Sequence, residues 1–290
     1  MHKQSPTKFN TLLITSCFCS NNVGTLLTIF VGLTYIFWGS VHASNDAPIA
    51  VKAVLAHSAV VVELFSDSLK KLGHGSGVII GPTEVITNCH VLRPGKVYKV
   101  HYQAKVHDGQ LLFADADRDL CSLRVPSLGG IPAKLGSTAA LKEGESVFTV
   151  SAPKTLVLVI HGGNVEALRP TSNGSYIRNT AFASNGSSGG GVFTSDGTLV
   201  GIITFGPTSK DKAGIQSPTF AQPVEWIEGL SKRSIGNALY TTRSKYDYES
   251  MINELRDKQQ WVELITFSER WLSVKPEYPA PWIAREAKAH

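Results

Sequence analysis

Between residues 58 and 220 the chain is a succession of short runs rich in β-branched residues, each ended by Gly, Pro, Asn or Asp. No apolar pattern of helical period interrupts this stretch, and such spacing is typical of an all-β sandwich or barrel. A segment with Gly129-Gly130 and Pro132, residues 127–132, is the predicted connection between two halves. The runs that predict strands are residues 60–65, 77–80, 84–87, 97–102, 122–125, 146–150, 156–160, 191–193 and 199–204.

Composition narrows the class of protein further. Of 290 residues, 42% are hydrophobic and 18% are charged, which is typical of a globular protein and not of a disordered chain. The formal net charge of +5 is small and its charges are scattered, so we expect no nucleic-acid partner.

The first 43 residues predict a targeting segment. Basic residues come first, an apolar run follows at residues 25–38, and Val41-His42-Ala43 places small residues where signal peptidase requires them. The alternative is a membrane anchor that is retained. We therefore expect an exported protein, periplasmic or secreted, which associates with a membrane only if this segment stays uncleaved.

After Pro223 the apolar residues take helical spacing, which predicts a linker at residues 231–244 and a helical tail at residues 245–290. The tail resembles a tetratricopeptide unit in phase, because Tyr248 and Trp282 are 34 residues apart and Pro276 falls near the terminal Pro of the repeat. Two interpretations remain open for the tail. It is either a structural brace or a docking site for a protein partner or for a second copy of the chain.

Three residues in the β-rich stretch have the chemistry of a hydrolytic triad. His90, Asp119 and Ser188 follow one another in an order known for such triads. Taken singly, each has a plain structural explanation: a histidine after a strand, a turn aspartate and a flexible glycine-rich segment. Their conjunction points to a serine nucleophile, a histidine base and a carboxylate that orients the base.

The stretches around these residues resemble the trypsin-like serine peptidases, most of all the bacterial branch that includes the HtrA-type proteases, here without a PDZ domain. The motifs that carry the resemblance are Gly75-Ser76-Gly77, Thr87-Asn88-Cys89-His90-Val91, Arg118-Asp119-Leu120 and Gly186-Ser187-Ser188-Gly189-Gly190. The resemblance implies two six-stranded antiparallel barrels over residues 50–230, with the active site between them. It also implies His90, Asp119 and Ser188 as the catalytic residues.

Further site residues follow from the resemblance. The backbone N–H groups of Gly186 and Ser188 are expected to form the oxyanion hole, because a tight glycine turn lets them point together. Ala181, Phe182 and Phe205 are expected to line the primary specificity pocket. They offer no partner for an Arg or Lys side chain, so we expect cleavage after apolar residues.

The chain contains four cysteines, of which Cys17 and Cys19 lie in the predicted targeting segment. The triad geometry that the resemblance implies brings Cys89 close to Cys121, so these two are candidates for a disulfide, which export permits. Two buried free thiols are the alternative. Neither cysteine has the neighbours of a metal site, so we expect no metal and no cofactor.

The sequence thus predicts a serine endopeptidase that hydrolyses exported polypeptides through an acyl-enzyme. A catalytically silent binding protein with the same fold is the alternative.

Overall fold

The computed structural model of the protein describes residues 47–205, 218–234, 251–252, 254–256 and 258–274. The predicted targeting segment, most of the linker and much of the tail lie outside these residues. The described helices are α1 (Ile49–His57), α2 (Cys89–Leu92), α3 (Leu230–Arg233) and α4 (Trp261–Val274). None of the described helices is long and apolar enough to cross a membrane.

Twelve strands form two closed antiparallel barrels, which confirms the predicted fold class. In the first barrel the neighbours run β1-β2-β3-β6-β5-β4, and in the second β10-β11-β12-β9-β8-β7. The strands are β1 (Ala59–Phe65), β2 (Lys71–Gly81), β3 (Glu84–Thr87), β4 (Val97–Tyr102), β5 (Lys105–Asp115), β6 (Leu120–Arg124), β7 (Ser146–Ser151), β8 (Val159–Pro170), β9 (Ser175–Asn179), β10 (Gly191–Thr194), β11 (Leu199–Phe205) and β12 (Thr219–Pro223).

The predicted connection at residues 127–132 does lie between the two barrels, after β6 and before β7. The strand expected at residues 156–160 begins later, at Val159, and continues to Pro170. Three strands, β5, β9 and β12, have no counterpart among the predicted runs, and neither does α1.

The core is divided into three buried clusters. One fills the first barrel with alternate residues such as Val60, Val62 and Leu64 of β1, and another fills the second barrel. The third joins the barrels, since it contains Leu120 of the first and Phe193 of the second. Because protein interiors are close-packed, this shared core fixes the two barrels relative to each other and hence the site between them.

Helix α1 and the tail pack on the shared core. Val51 and Val54 of α1 belong to it, and so do Ile252 and Leu264, which are buried and helical. These contacts agree with the brace interpretation of the tail. Three of the residues that carry the tetratricopeptide resemblance, Tyr248, Pro276 and Trp282, lie outside the described residues, so it stays a prediction. The first residues of the predicted linker are helical and belong to α3.

Candidate active site

His90 and Asp119 form a close pair in the structure. The Nδ1 atom of His90, in the short helix α2, lies 2.7 Å from Oδ2 of Asp119, and the backbone N–H of His90 donates to Oδ1, also at 2.7 Å. An ionised carboxylate can only accept hydrogen bonds, so Nδ1 carries the imidazole proton and Nε2 is left as a base. The side chains are 14% and 3% exposed, respectively.

Asp119 is held in place by polar groups from both barrels. It has a left-handed φ of +53° in the turn between β5 and β6, a backbone conformation that costs energy for a residue other than glycine. Asn88 donates to its backbone carbonyl at 2.9 Å. From the second barrel, Thr204 Oγ1 donates a hydrogen bond to Oδ2 of Asp119 at 3.2 Å, and Thr204 Oγ1 in turn accepts one from Gln222 Nε2 at 3.1 Å. The contacts of Thr204 and Gln222 with the Asp119 turn were not predicted, because both are strand residues far from Asp119 along the chain.

Ser188 lies in a tight turn between β9 and β10 that packs against the first barrel. The backbone N–H of Ser76 donates to Ser188 O at 2.8 Å, and Gly189 N–H donates to Ile203 O at 2.8 Å. A Cβ atom at Gly189, whose φ is +85°, would lie 2.2 Å from Ser76 O and 2.3 Å from Thr87 Oγ1. Only glycine permits so close an approach of the turn to strands β2 and β3.

Gly75 of strand β2 lies between the turn that carries Ser188 and the helix α2 that carries His90. A Cβ atom at Gly75 would lie 2.5 Å from Cγ1 of Val91 and 3.1 Å from the carbonyl oxygen of Ser188. Since Val91 follows His90, the structure places the main chain of Ser188 beside the segment that carries His90.

The two expected oxyanion donors are in the same turn. Gly186 has a φ of +94°, and a Cβ atom there would lie 2.5 Å from His74 Nε2 and 2.6 Å from Ala152 O. Within the described part of the chain, neither the N–H of Gly186 nor that of Ser188 donates a hydrogen bond. Both donors therefore retain their hydrogen-bonding capacity for a ligand.

Ser187 is buried and bonded within its own turn. Its Oγ accepts from Ser184 N–H at 3.1 Å and from Ser151 Oγ at 3.0 Å. The side chain thus braces the turn from the side of the second barrel.

The three residues expected to line the specificity pocket have different surroundings. Ala181 is fully buried, and Phe182 is half-buried with its ring edge-on to that of His161 at 4.9 Å between centroids. Phe205 ends strand β11, but its side chain is outside the described part of the structure. Burial lowers the pKa of His161, so this unpredicted neighbour of Phe182 is neutral at pH 7.

Cys89 and Cys121 are joined by a disulfide in the structure, with their Cα atoms 5.0 Å apart. This separation lies within the range that such bonds require. The bridge connects the residue before His90 to the second residue after Asp119. Within the described residues, no cluster of three or more His, Cys, Asp or Glu side chains could hold a metal ion.

Removal of this disulfide is expected to destabilise the protein. A bond between residues 32 apart restricts the unfolded chain enough to contribute about 4 kcal/mol to the free energy of unfolding. Urea unfolding of the Cys89→Ala/Cys121→Ala double variant, with the wild type in strong reductant as the matched control, measures this loss. Two alkylatable thiols in protein exported and purified without reductant would show that the bond does not form.

Comparison with known proteins shows which families the chain resembles. A family model described as a trypsin-like peptidase domain matches residues 75–202. The serine protease HTRA1 of Xenopus laevis is 30% identical over 189 residues, which cover 59% of this chain and 39% of that protein. The serine endoprotease DegS of Salmonella typhimurium is 29% identical over 179 residues, 56% of this chain and 50% of that protein. The anti-sigma-I factor RsgI9 of Acetivibrio thermocellus is 27% identical over 187 residues, 63% of this chain and 26% of that protein.

Solved structures agree on the fold. The active form of the Rv3671c protease from M. tuberculosis has a TM-score of 0.56 at 20% identity and covers 69% of this chain and 92% of that one. The HtrA-type protease AlgW with a tripeptide also has a TM-score of 0.56, at 22% identity, and covers 63% and 61% of the two chains. The chain spans between about a quarter and a half of the length of the curated relatives named above.

Proposed function

We propose that the chain is a serine endopeptidase that cleaves polypeptides with His90, Asp119 and Ser188 as its triad. The match of residues 75–202 to a trypsin-like peptidase domain and the similarity to DegS support this proposal. The observation that carries this proposal is the pairing of His90 Nδ1 with the buried carboxylate of Asp119 at 2.7 Å. Such a pair leaves Nε2 unprotonated and stabilises the imidazolium that forms when Nε2 takes up a proton.

The proposed reaction follows from these protonation states. His90 Nε2 accepts the hydroxyl proton as Ser188 Oγ attacks the scissile carbonyl, and the N–H groups of Gly186 and Ser188 stabilise the resulting oxyanion. His90 then gives its proton to the leaving amine, and an acyl-enzyme remains on Ser188. Water, activated by the same histidine, hydrolyses this ester and restores the enzyme. No metal or cofactor takes part in these steps.

Labelling by a fluorophosphonate probe tests the proposal, because the probe reacts with an activated serine. We expect the folded wild-type protein to be labelled at Ser188, as located by mass spectrometry, and expect no labelling after heat denaturation. A folded protein that takes no label, or takes it at another serine, would contradict the proposal. The catalytically silent binding protein would then be the better description.

The specificity proposed for this enzyme is cleavage after apolar residues. Ala181 has no polar side chain, and Phe182 lies beside the neutral ring of His161, so neither offers a negative charge to a basic substrate side chain. Burying an unpaired Arg or Lys charge against them would be costly. Digestion of a proteome-derived peptide library should therefore give cleavage sites with small or medium apolar residues before the scissile bond, and predominant cleavage after Arg or Lys would show that the pocket is different.

The substrates are proposed to be exported polypeptides, in keeping with the predicted targeting segment at residues 1–43. A periplasmic or secreted location, with membrane attachment if that segment is retained, belongs to the same proposal. The helical tail is a further candidate for contact with a protein partner or a second copy of the chain.

A further inference from the structure

Ser76 makes four hydrogen bonds beside the proposed catalytic residues. It lies on strand β2 and is 0% exposed. Its Oγ donates to Gly186 O and accepts from Ala152 N–H, both at 2.8 Å. Its backbone N–H donates to Ser188 O at 2.8 Å, and its carbonyl accepts from Thr87 Oγ1 at 2.8 Å. A single residue of the first barrel thus bonds to the carbonyl oxygens of Gly186 and Ser188, the two residues whose N–H groups are the expected oxyanion donors. It also bonds to Thr87, at the end of the strand that leads to His90.

The direction of the Oγ hydrogen bond to Gly186 is fixed. A serine hydroxyl has one proton, and the backbone carbonyl of Gly186 can only accept. The N–H of Ala152 can only donate, so it occupies a lone pair of Oγ and leaves the hydroxyl proton for Gly186 O. Neither partner would allow the roles to be exchanged.

The peptide unit that carries the N–H of Gly186 is held by its carbonyl end. Lys154 N–H donates to Asn185 O at 2.8 Å. In a trans peptide the C=O and N–H point in opposite directions, and no described residue has a cis peptide bond. The Gly186 N–H is therefore turned away from the main chain at Lys154.

The next two peptide units are restrained in the same way. Ser187 N–H donates to Ser184 O at 2.8 Å, and Gly190 N–H donates to Ser187 O at 3.0 Å. The unit between Gly186 and Ser187 is consequently held at both ends, by Ser184 at its N–H and by Ser76 at its carbonyl. Without Ser76 its carbonyl end would be free, next to a glycine that rotates at little steric cost.

We propose that Ser76 is a positioning residue whose hydroxyl holds the Gly186–Ser187 peptide so that the N–H groups of Gly186 and Ser188 face the scissile carbonyl together. The proposal rests on the proposed function. It implies that this chain assembles its oxyanion hole before substrate binds, through bonds supplied by its own first barrel. Donors that are already oriented require no reorganisation during the reaction. They stabilise the transition state more than the bound substrate because negative charge develops on the oxygen they face.

Ser76→Ala removes the hydroxyl and tests the proposal. We expect kcat for a fluorogenic peptide to fall by about tenfold to 100-fold, the effect of one buried hydrogen bond on a transition-state contact. The KM and the pH dependence of kcat should stay near wild type, because His90 and the substrate pocket are unchanged. Affinity for a peptide boronate, which forms a tetrahedral adduct, should fall with kcat, whereas affinity for the product peptide should not.

Two controls separate positioning from general damage to the fold. Ser122→Ala removes a hydroxyl that is also 0% exposed, in strand β6, and that has no hydrogen-bond partner among the described residues, so its kcat should equal that of the wild type. The side chains introduced by Ser76→Thr and Ser76→Val have nearly the same shape as each other, and only that of Thr keeps a hydroxyl that can donate to Gly186 O. The Thr variant should exceed the Val variant in kcat, a comparison that remains informative if Ser76→Ala does not fold.

The outcomes distinguish this inference from the proposed function. A wild type that is labelled at Ser188, together with a Ser76→Ala variant of wild-type kcat, would overturn the role of Ser76 alone. Equal kcat for the Thr and Val variants, or a loss that appears in KM and not in kcat, would overturn it as well. A folded wild type that takes no label overturns both proposals.

Discussion

Ser188→Ala and His90→Ala are each expected to lower kcat for peptide hydrolysis by about a million-fold. The reason is that the nucleophile and the base act in the same step, so either loss removes that step altogether. The double variant should be no slower than either single variant, since the second substitution has nothing left to remove. Residual hydrolysis would come from the oxyanion donors and from substrate binding alone.

Peptide cleavage by the purified variants measures these losses, with urea unfolding to show that each variant is folded. Thr155→Ala, in an exposed stretch outside the proposed triad, is a suitable control that should retain wild-type kcat. Near wild-type turnover by Ser188→Ala, with contaminating proteases excluded, would contradict the triad assignment. A simple sum of the two single losses in the double variant would contradict the idea that the two residues act together.

The pattern of short runs predicted an all-β fold, and the family resemblance implied its two barrels, whereas the individual strands were predicted less completely. The strands that were not predicted share a weak apolar pattern in their local sequence. Strand β5 begins with exposed charged residues, β9 is short and contains Arg178 and Asn179, and β12 contains Gln222 and ends at Pro223. Their pairing partners stabilise them in the barrels, and a local pattern cannot show such partners. Helix α1 was missed for a similar reason, because Val51 and Val54 are buried only by packing on the shared core.

The candidate site shows the same division between local and distant information. His90, Asp119 and Ser188 lie in motifs that can be recognised from neighbouring residues. Thr204 contacts Asp119 across 85 residues of chain, and Ser76 contacts Gly186 across 110. Ser76 belongs to a recognisable motif, but nothing in that motif indicates its contact with Gly186. A single sequence therefore indicated which residues would react, whereas the restraints on their geometry required the three-dimensional structure.

Asp119→Asn is expected to lower kcat by about 10⁴-fold while leaving the protein folded. The structure explains why so small a change should matter. The backbone N–H of His90 donates to Oδ1 of Asp119, so in the variant the amide oxygen must remain at that position and the amide NH₂ must face His90 Nδ1. Nδ1 would then have to accept a hydrogen bond, which places the imidazole proton on Nε2. A histidine in this tautomer cannot accept the proton of Ser188.

Two measurements test this explanation together. Steady-state kinetics should show the loss in kcat, and ¹⁵N NMR of His90 should show the proton moved from Nδ1 in the wild type to Nε2 in the variant. Asp108→Asn is the matched control, because this carboxylate is exposed and pairs with Lys99 on the surface of the first barrel, so its removal should leave kcat unchanged. Wild-type kcat in Asp119→Asn would show that this carboxylate has no part in catalysis. A large loss of kcat with the proton still on Nδ1 would show instead that Asp119 acts mainly through its charge, by stabilising the imidazolium, and not through the choice of tautomer.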